Sequence, residues 1–460
     1  MVPLLLAGCA LGPDYARPDP TLPATWAGAG AMAGTRALDA GWWRVFGDAL
    51  LSDLVERALA ANSDLKLARA RLRAARAAAV VAGATRLPNI EASVARTQST
   101  RNGRSVQTGY SAGFDASWEL DLFGGARRAA EAASADAEST EATLAATAVS
   151  VAAEVARLYV DVRTQQARIE IAQANLGGQV ESLQITEWRA EAGLAPRLDV
   201  EQARASVEQT RAQVPSLRAA LAQTRHALAL ILGEAPAALD QALAPRVGQK
   251  LPEVPEDLAI GIPADLLRRR PDIIAAERSL AAATARVASA RAARYPSFGL
   301  SGSIGLEALS LEQLAGGATV AGALVGRLIA PIFDAGRLRG QLTIRSAEQQ
   351  QAMVAYEASL LGAQRDVENA LSAIANGRER GHALARAAAA ARSAATLARQ
   401  RYSAGVADFT TVLDSDRTRQ TIEDAVATND GTLFTAVIQL YKALGGGWSA
   451  NPNVKGRDGR

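Results

Sequence analysis

Tyr110-Ser111-Ala112-Gly113-Phe114-Asp115-Ala116-Ser117-Trp118-Glu119-Leu120-Asp121-Leu122 is the stretch that decides the fold. Read at the two-residue period of a strand, Tyr110, Ala112, Phe114, Ala116, Trp118, Leu120 and Leu122 share one face, and Ser111, Gly113, Asp115, Ser117, Glu119 and Asp121 share the other. A strand with one apolar and one carboxylate-bearing face suits a barrel wall between lipid and water. The blander reading of Asp115, Glu119 and Asp121 is a solvated wall rather than a lumen that tunes passage. Ile90, Ala92 and Val94 alternate with Glu91, Ser93 and Ala95, which gives a weaker partner strand at about 90–99, joined by a polar loop from Ser99 to Thr108. Phe298 to Leu306 and Thr319 to Ile329 repeat the arrangement around a loop near Leu309 to Ala318.

Outward from these strands the period changes. A helix from Leu50 to about Thr85 precedes the first strand pair, and one from about Pro263 to Arg294 precedes the second, each ending before a proline. After each pair proline vanishes, with none between Pro88 and Pro196 or between Pro331 and Pro452. Such gaps permit helices far longer than three or four turns. Leu144, Val151, Val155, Leu158, Val162, Ile169, Leu176, Val180 and Leu183 step by threes, fours and sevens, as a coiled-coil seam does. Met353, Val354, Leu360, Val367, Leu371 and Ile374 follow similar spacing. Helices over about 125–192 and 334–404 are expected, each roughly 100 Å long at about 1.5 Å per residue.

The symmetry is internal. At a shift of about 210 residues, Asn62-Ser63-Asp64-Leu65 falls on Arg270-Pro271-Asp272-Ile273, Ala84 on Ala292 and Pro88 on Pro296. Further on, Phe123 and Arg127 fall on Phe333 and Arg337, and Gly193, Val200 and Leu232-Gly233 on Gly405, Val412 and Leu444-Gly445. A colinear set of landmarks marks a duplication, with repeats at 50–245 and 246–447, an extended segment at 10–49 and a tail at 448–460. Four strands cannot close a membrane barrel, and lipid tolerates no open sheet edge, so several chains must share one wall. A soluble four-stranded sheet capping a helical bundle is the alternative.

Composition narrows the chemistry. Among 460 residues aromatics make up only 4%, and 50 Lys plus Arg against 47 Asp plus Glu leave a net charge of +3, too balanced for a nucleic-acid binder. With one cysteine and two histidines, His226 and His382, thiolate and imidazole metal sites and disulfides are not expected. No P-loop, G-x-S-x-G elbow, H-E-x-x-H or dinucleotide fingerprint occurs, and no cofactor is implied. Nor does a run of 18 consecutive apolar residues, which argues against a spanning helix. Residues 1–9 form a short apolar run, and Leu6-Ala7-Gly8-Cys9 resembles a bacterial lipobox whose cysteine becomes lipidated. Ala10 resembles the default that directs lipoproteins to the outer membrane. An untouched cysteine in a frayed terminus is the alternative.

Several blocks carry a family resemblance. Trp42-Trp43-Arg44-Val45-Phe46-Gly47-Asp48, followed by Leu54, Ala58-Leu59 and Asn62-Ser63-Asp64-Leu65, is similar to the opening of the TolC family of outer membrane factors, and most so to OprM-like efflux lipoproteins. Tyr441-Lys442-Ala443-Leu444-Gly445-Gly446-Gly447-Trp448 is similar to its close, and Arg401-Tyr402-Ser403-Ala404-Gly405 leading into Val412-Leu413-Asp414 to its inner helical tip. The resemblance runs from Cys9 to about Trp448. It implies a mostly α-helical homotrimer in the outer membrane, whose twelve strands form one β-barrel continued by a twelve-helix periplasmic α-barrel. It also implies a periplasmic adaptor and an inner membrane pump of the resistance-nodulation-division type, with outer membrane lipid around the barrel and no nucleic acid. The duct passes small molecules. A type I secretion duct and a coiled-coil lipoprotein without a pore are the alternatives.

At the tip, the resemblance puts the gate aspartate at Asp414, with Asp416 and Arg417 within one turn. Thr410 stands where family members often place an apolar ring, which weakens any hydrophobic plug. Solvated surface charge is the blander reading of Asp414 and Asp416. Gly193 and Gly405 suit sharp turns, because glycine takes left-handed dihedrals without steric cost, and both turns could serve the adaptor. Trp118, Tyr110 and Phe298 suit a lipid boundary; Trp42, Trp43 and Trp448 suit packing.

Overall fold

The computed structural model describes residues 12, 14–19, 25–26, 41–101, 105–245 and 269–446. Cys9 and Trp448 lie outside them. Along the chain run α1 (Ala49–Ala61), α2 (Ser63–Ala84), β1 (Asn89–Arg101), β2 (Ser105–Leu120), α3 (Gly125–Glu191) and α4 (Arg197–Leu232). Then come α5 (Pro271–Ala292), β3 (Ser297–Ala308), the short α6 (Leu311–Gly316), β4 (Thr319–Ile329), α7 (Arg337–Ser403) and α8 (Phe409–Ala443). The duplication is visible in element lengths: α2 and α5 both have 22 residues, and α3 and α7 both have 67. It is also visible in the backbone. Gly124 and Gly336 enter the long helices, Gly193 and Gly405 follow them, and Gly233 and Gly445 follow α4 and α8, all with positive φ.

Some expectations change in detail. The first helix is broken at Asn62, whose Oδ1 accepts from the Leu65 N–H at 3.0 Å while its Nδ2 donates to the Ile231 carbonyl at 2.8 Å. A short polar side chain that bonds its own backbone starts a new helix there. The expected loop from Ser99 to Thr108 is mostly strand: β1 and β2 pair from Asn89↔Ser117 out to Arg101↔Ser105. In the second hairpin Ser310 caps α6, its hydroxyl accepting from the Gln313 N–H at 3.3 Å. Glu307 faces Thr319 as Ser99 faces Gln107, so the extra residues of the second repeat all lie in this loop. The two repeats therefore superpose Gly125 on Arg337 and Glu191 on Ser403, which corrects the pairing of Phe123 with Phe333 and of Arg127 with Arg337.

The chain divides into two compact units. One comprises Ala68–Leu144, Asp272–Ser359 and the described part of Met1–Pro20. It holds one antiparallel sheet in the order β1-β2-β3-β4. Beside α5, Ala135 of α3 packs on Ala281 and Ala282, the Ser139 hydroxyl donates to the Ala275 carbonyl at 2.8 Å, and Arg286 pairs with Asp136. Residues 14–19 strap this unit: Asp14 pairs with buried Arg128, and the Tyr15 hydroxyl donates to Glu277, which is 2% exposed. Burial would raise the Glu277 carboxyl, but hydrogen bonds from Arg278 and Tyr15 outweigh it and hold it below the ordinary range.

The other unit comprises Thr21–Leu67, Ala145–Pro271 and Leu360–Arg460. Its aromatic core stacks Trp42 on Tyr441 at 5.3 Å and sets Phe46 against Phe434 at 4.3 Å. Trp42 and Trp43 are buried, as their packing role requires. Asp48 caps α1, accepting from the Leu50 N–H at 2.9 Å and the Leu51 N–H at 3.0 Å, and also accepts from the Tyr159 hydroxyl. Burial and that bond push the Tyr159 hydroxyl up to about 12. α3 contains a window apolar enough to cross a membrane, but 56% of that window is buried inside the protein. It reads as core.

Candidate functional site

The sheet register extends the alternation of β2 to all four strands. Ile90, Ala116, Gly302 and Leu324 form one cross-strand row; Ala92, Phe114, Ile304 and Gly322 form the next; Val94, Ala112, Leu306 and Val320 form a third. This face is apolar and uncovered: Val94 is 82%, Leu324 77% and Phe114 59% exposed. Large apolar side chains exposed in continuous rows require a non-aqueous neighbour. Trp118 and Phe298 belong to the same face, and the Trp118 indole N–H donates to the Arg86 carbonyl at 3.0 Å.

The opposite face is polar. Glu91 pairs directly with Asp115, whose Oδ2 accepts from the Ser93 hydroxyl at 2.8 Å, while Glu91 accepts from the Asn89 amide at 2.7 Å. Glu119 and Arg327 flank Gly299 on this face. Strands approach closely at Gly113↔Gly305, where a Cβ on Gly113 would stand 2.7 Å from the Ile304 carbonyl oxygen. Asp115 and Glu119 thus lie on the polar face of the sheet. Asp121 does not: it lies past the end of β2, and its Oδ2 accepts from the Arg127 N–H at 2.7 Å, capping α3. Asp334 does the same for α7 through the Gly336 and Leu338 N–H groups at 3.0 and 2.9 Å, and these bonds hold its carboxyl low.

Among the described residues β1 and β4 each have one neighbour only, so each leaves an unpaired edge. A membrane sheet cannot keep such edges. Identity follows from this face, this pair of edges and the doubled long helices. The outer membrane efflux protein family matches residues 54–234 and again 262–446. The chain belongs to that family. It is 33% identical over 457 residues to the outer membrane protein OprJ of Pseudomonas aeruginosa, covering 97% of this chain and 95% of that one. The toluene efflux pump outer membrane protein TtgI of Pseudomonas putida is 33% identical over 464 residues, covering 98% of each. Among solved structures, the outer-membrane channel OprN superposes with a TM-score of 0.90 at 38% identity, over 96% of this chain and 100% of that one. As a member of this family the protein is an outer membrane channel of a tripartite efflux system, its fold a trimeric β-barrel continued by a helical barrel.

At the helical tips, each long helix closes with the same motif. The Leu194 N–H donates to the Arg189 carbonyl at 2.7 Å and the Val406 N–H to the Arg401 carbonyl at 2.9 Å, with Gly193 and Gly405 left-handed between them. The sequence placed both glycines correctly in turns. The first turn is tied to the second by Arg189, which donates to the Ser403 carbonyl at 3.1 Å and lies 4.8 Å over the Tyr402 ring. Asp199 of α4 is raised by burial and by the Asp408 carboxylate, with Arg189 opposing.

The gate candidates separate into two groups. Thr410, Asp414 and Arg417 stand at positions i, i+4 and i+7 of α8 and are all exposed. Asp416 points the other way: it is 4% exposed and pairs with Arg399 of α7 at 2.6 Å and Arg419 at 3.4 Å. It is committed within its own chain and cannot serve as a free carboxylate at an axis. Sequence reading missed Arg399 and Arg189 because their partners lie across a turn or on the neighbouring helix, and Arg419 although Asp416 stands only three residues before it on α8.

Proposed function

We propose that three copies form a passive exit duct, gated at the helical tips by a ring of Asp414 carboxylates, which receives cargo from an inner membrane pump through a periplasmic adaptor. The observation that carries the duct is the four-stranded sheet with one lipid-facing side, one polar side and two open edges. Closing the edges of three such sheets on one another removes every unpaired strand and leaves the polar face, with Glu91, Asp115 and Glu119, around a water-filled lumen. Repeated carboxylates there favour cations and tolerate neutral solutes. The amino terminus supports lipid anchoring at Cys9, since the strap at Asp14 lies five residues beyond it.

Three-fold symmetry converts Asp414 into three mutually repelling carboxylates, a charge arrangement that a divalent cation would neutralise. Thr410 one turn away and Arg417 on the same stripe modulate that ring. The two turns present Leu194 and Val406, and the start of α4 Leu198, which are 68%, 63% and 64% exposed, as an apolar seat for the adaptor. Relatives at the same 33% identity include outer membrane proteins of a toluene efflux pump and of pyoverdine export, which supports a selectivity set upstream, in the pump. Planar-bilayer recording tests the gate. Asp414→Ala should raise conductance and abolish sensitivity to divalent cations from the periplasmic side; unchanged conductance and unchanged block would remove Asp414 from the gate.

A further inference from the structure

Where the sheet gives way to helices, the chain gathers arginines without giving them carboxylate partners. Along α5, Arg278 pairs with Glu277 and Arg286 with Asp136. Closer to the sheet, Arg291 and Arg294 meet no carboxylate among the described residues, and neither does Arg339 in the first turn of α7. Arg294 and Arg339 line one cavity of about 280 Å³ together with Pro331, Ile332 and Asp334. That is close to the roughly 300 Å³ at which small-molecule sites begin, a size for a headgroup rather than a whole lipid. Asp334 does not cancel the two charges. Its oxygens accept from the Gly336 and Leu338 N–H groups, and Arg337 stands beside it, so the cavity keeps a net positive charge.

Apolar side chains adjoin these arginines on the sheet side. Arg86 precedes Leu87, 68% exposed, and Arg294 precedes Tyr295, 45% exposed. Ile332 and Phe333, 92% and 90% exposed, stand between β4 and Arg339. From sheet to helix the surface passes from an uncovered apolar face to guanidinium groups, the order in which a bilayer passes from hydrocarbon to phosphate. The long helices extend from the sheet into the periplasm, so the leaflet at this level is the inner one, built of glycerophospholipids. Arg339, Ser346 and Met353 follow one another at seven-residue spacing on α7, which puts the arginine on the side where Ser346 and Met353 meet Tyr15 and Pro18 of the strap. The strap climbs toward the same level: Tyr15 bonds Glu277, while Gly12 lies against Ala288, only four residues before the end of α5.

The first repeat has the same pair with an anion already supplied. Arg86 matches Arg294 and Arg127 matches Arg339, but there the strap carboxylate Asp14 pairs with Arg128 and lies within the field of Arg127. The second repeat has Gly340 in place of Arg128, and no carboxylate among the described residues takes the place of Asp14. We propose that the cavity between Arg294 and Arg339 binds the phosphate of an inner-leaflet glycerophospholipid, anionic headgroups being preferred, while an acyl chain lies over Ile332. Arginine suits this task because its planar fork donates parallel N–H groups to phosphate oxygens and stays charged.

Native mass spectrometry of the full-length protein in detergent, titrated with dioleoylphosphatidylglycerol, reads the site. Arg294→Gln with Arg339→Gln should lower lipid retention severalfold at unchanged helical melting. Arg345→Gln, which removes a guanidinium already paired with Glu348, should leave retention unchanged. Each single variant should lose part of the retention, which keeps the test decisive if the double variant fails to fold. Dioleoylglycerol, which lacks the phosphate, should be retained severalfold less than the phospholipid, and inorganic phosphate should not displace bound lipid. Equal retention of phosphatidylglycerol by the unmodified protein and the arginine variants would overturn the site. Equal retention of dioleoylglycerol would reduce it to apolar adhesion, and displacement by inorganic phosphate would assign it to the free anion; either result overturns a phospholipid site.

Discussion

The two long helices have the same length, the same glycine signals at each end and opposite surroundings. α3 is covered along much of its length, with Val155, Ala156, Tyr159, Val160 and Val162 fully buried. α7 is largely exposed over its first half, and carries Ile344 and Val354 where α3 carries Ala132 and Ala142. Duplication thus conserves the backbone programme, while the side chains follow their surroundings: alanine where α3 is buried, larger apolar groups at the equivalent exposed positions of α7.

The sharpest way to break this contrast is to put one charge at both positions. Ala142→Asp buries an unpaired carboxylate and should cost several kcal/mol, seen as lost thermal unfolding cooperativity or loss of folded protein. Val354→Asp should leave the chain folded and instead reduce the trimer population on native gels. Equal damage from both would erase the distinction. On α8 the same logic separates two neighbouring aspartates. Asp416→Ala strands Arg399 and Arg419 and should destabilise by about 3–5 kcal/mol, whereas Asp414→Ala should shift stability by no more than about 0.5 kcal/mol, both read by chemical denaturation.

A third difference lies at the start of the helices. α3 offers Arg128 to the strap, while the equivalent position of α7 is Gly340, so among the described residues only α3 is strapped in this way. Asp14, held low by its hydrogen bond and charge pairing with Arg128, and Glu277 both have folded-state values below their ordinary ones. Their contribution is therefore complete above the ordinary carboxylate range and is lost as pH falls through the lowered values. Hydrogen exchange at residues 14–19 should rise in acid below about pH 4 while exchange in α7 stays level. The smallest effect belongs to the tip. Asp199 is raised, so its charged form penalises the fold; Asp199→Asn should stabilise slightly at neutral pH, by a fraction of 1 kcal/mol, and not at all in acid.

Much of this was legible in the residues. The alternation in Tyr110 to Leu122, the proline-free stretches and the repeated glycines report backbone geometry, which local sequence encodes strongly. What escaped was decided by contacts between distant residues or by a single side chain's choice of partner. Asn62 splits a helix because its amide finds both a backbone N–H and a distant carbonyl. Asp121 alternates correctly but leaves the wall because the first turn of α3 offers free N–H groups. Asp416 stands two residues from Asp414, yet helical geometry turns it inward onto Arg399. Matching Phe123 to Phe333 by type hid the single step in the hairpin loop that the strand register reveals.

One chain supplies a third of a closed wall. Light-scattering mass of the detergent-solubilised full-length protein, corrected for detergent, tests it most directly: the expected particle has three times the 47.8 kDa chain mass. A stable, folded particle of one chain mass, its β1 and β4 edges left open, would contradict it.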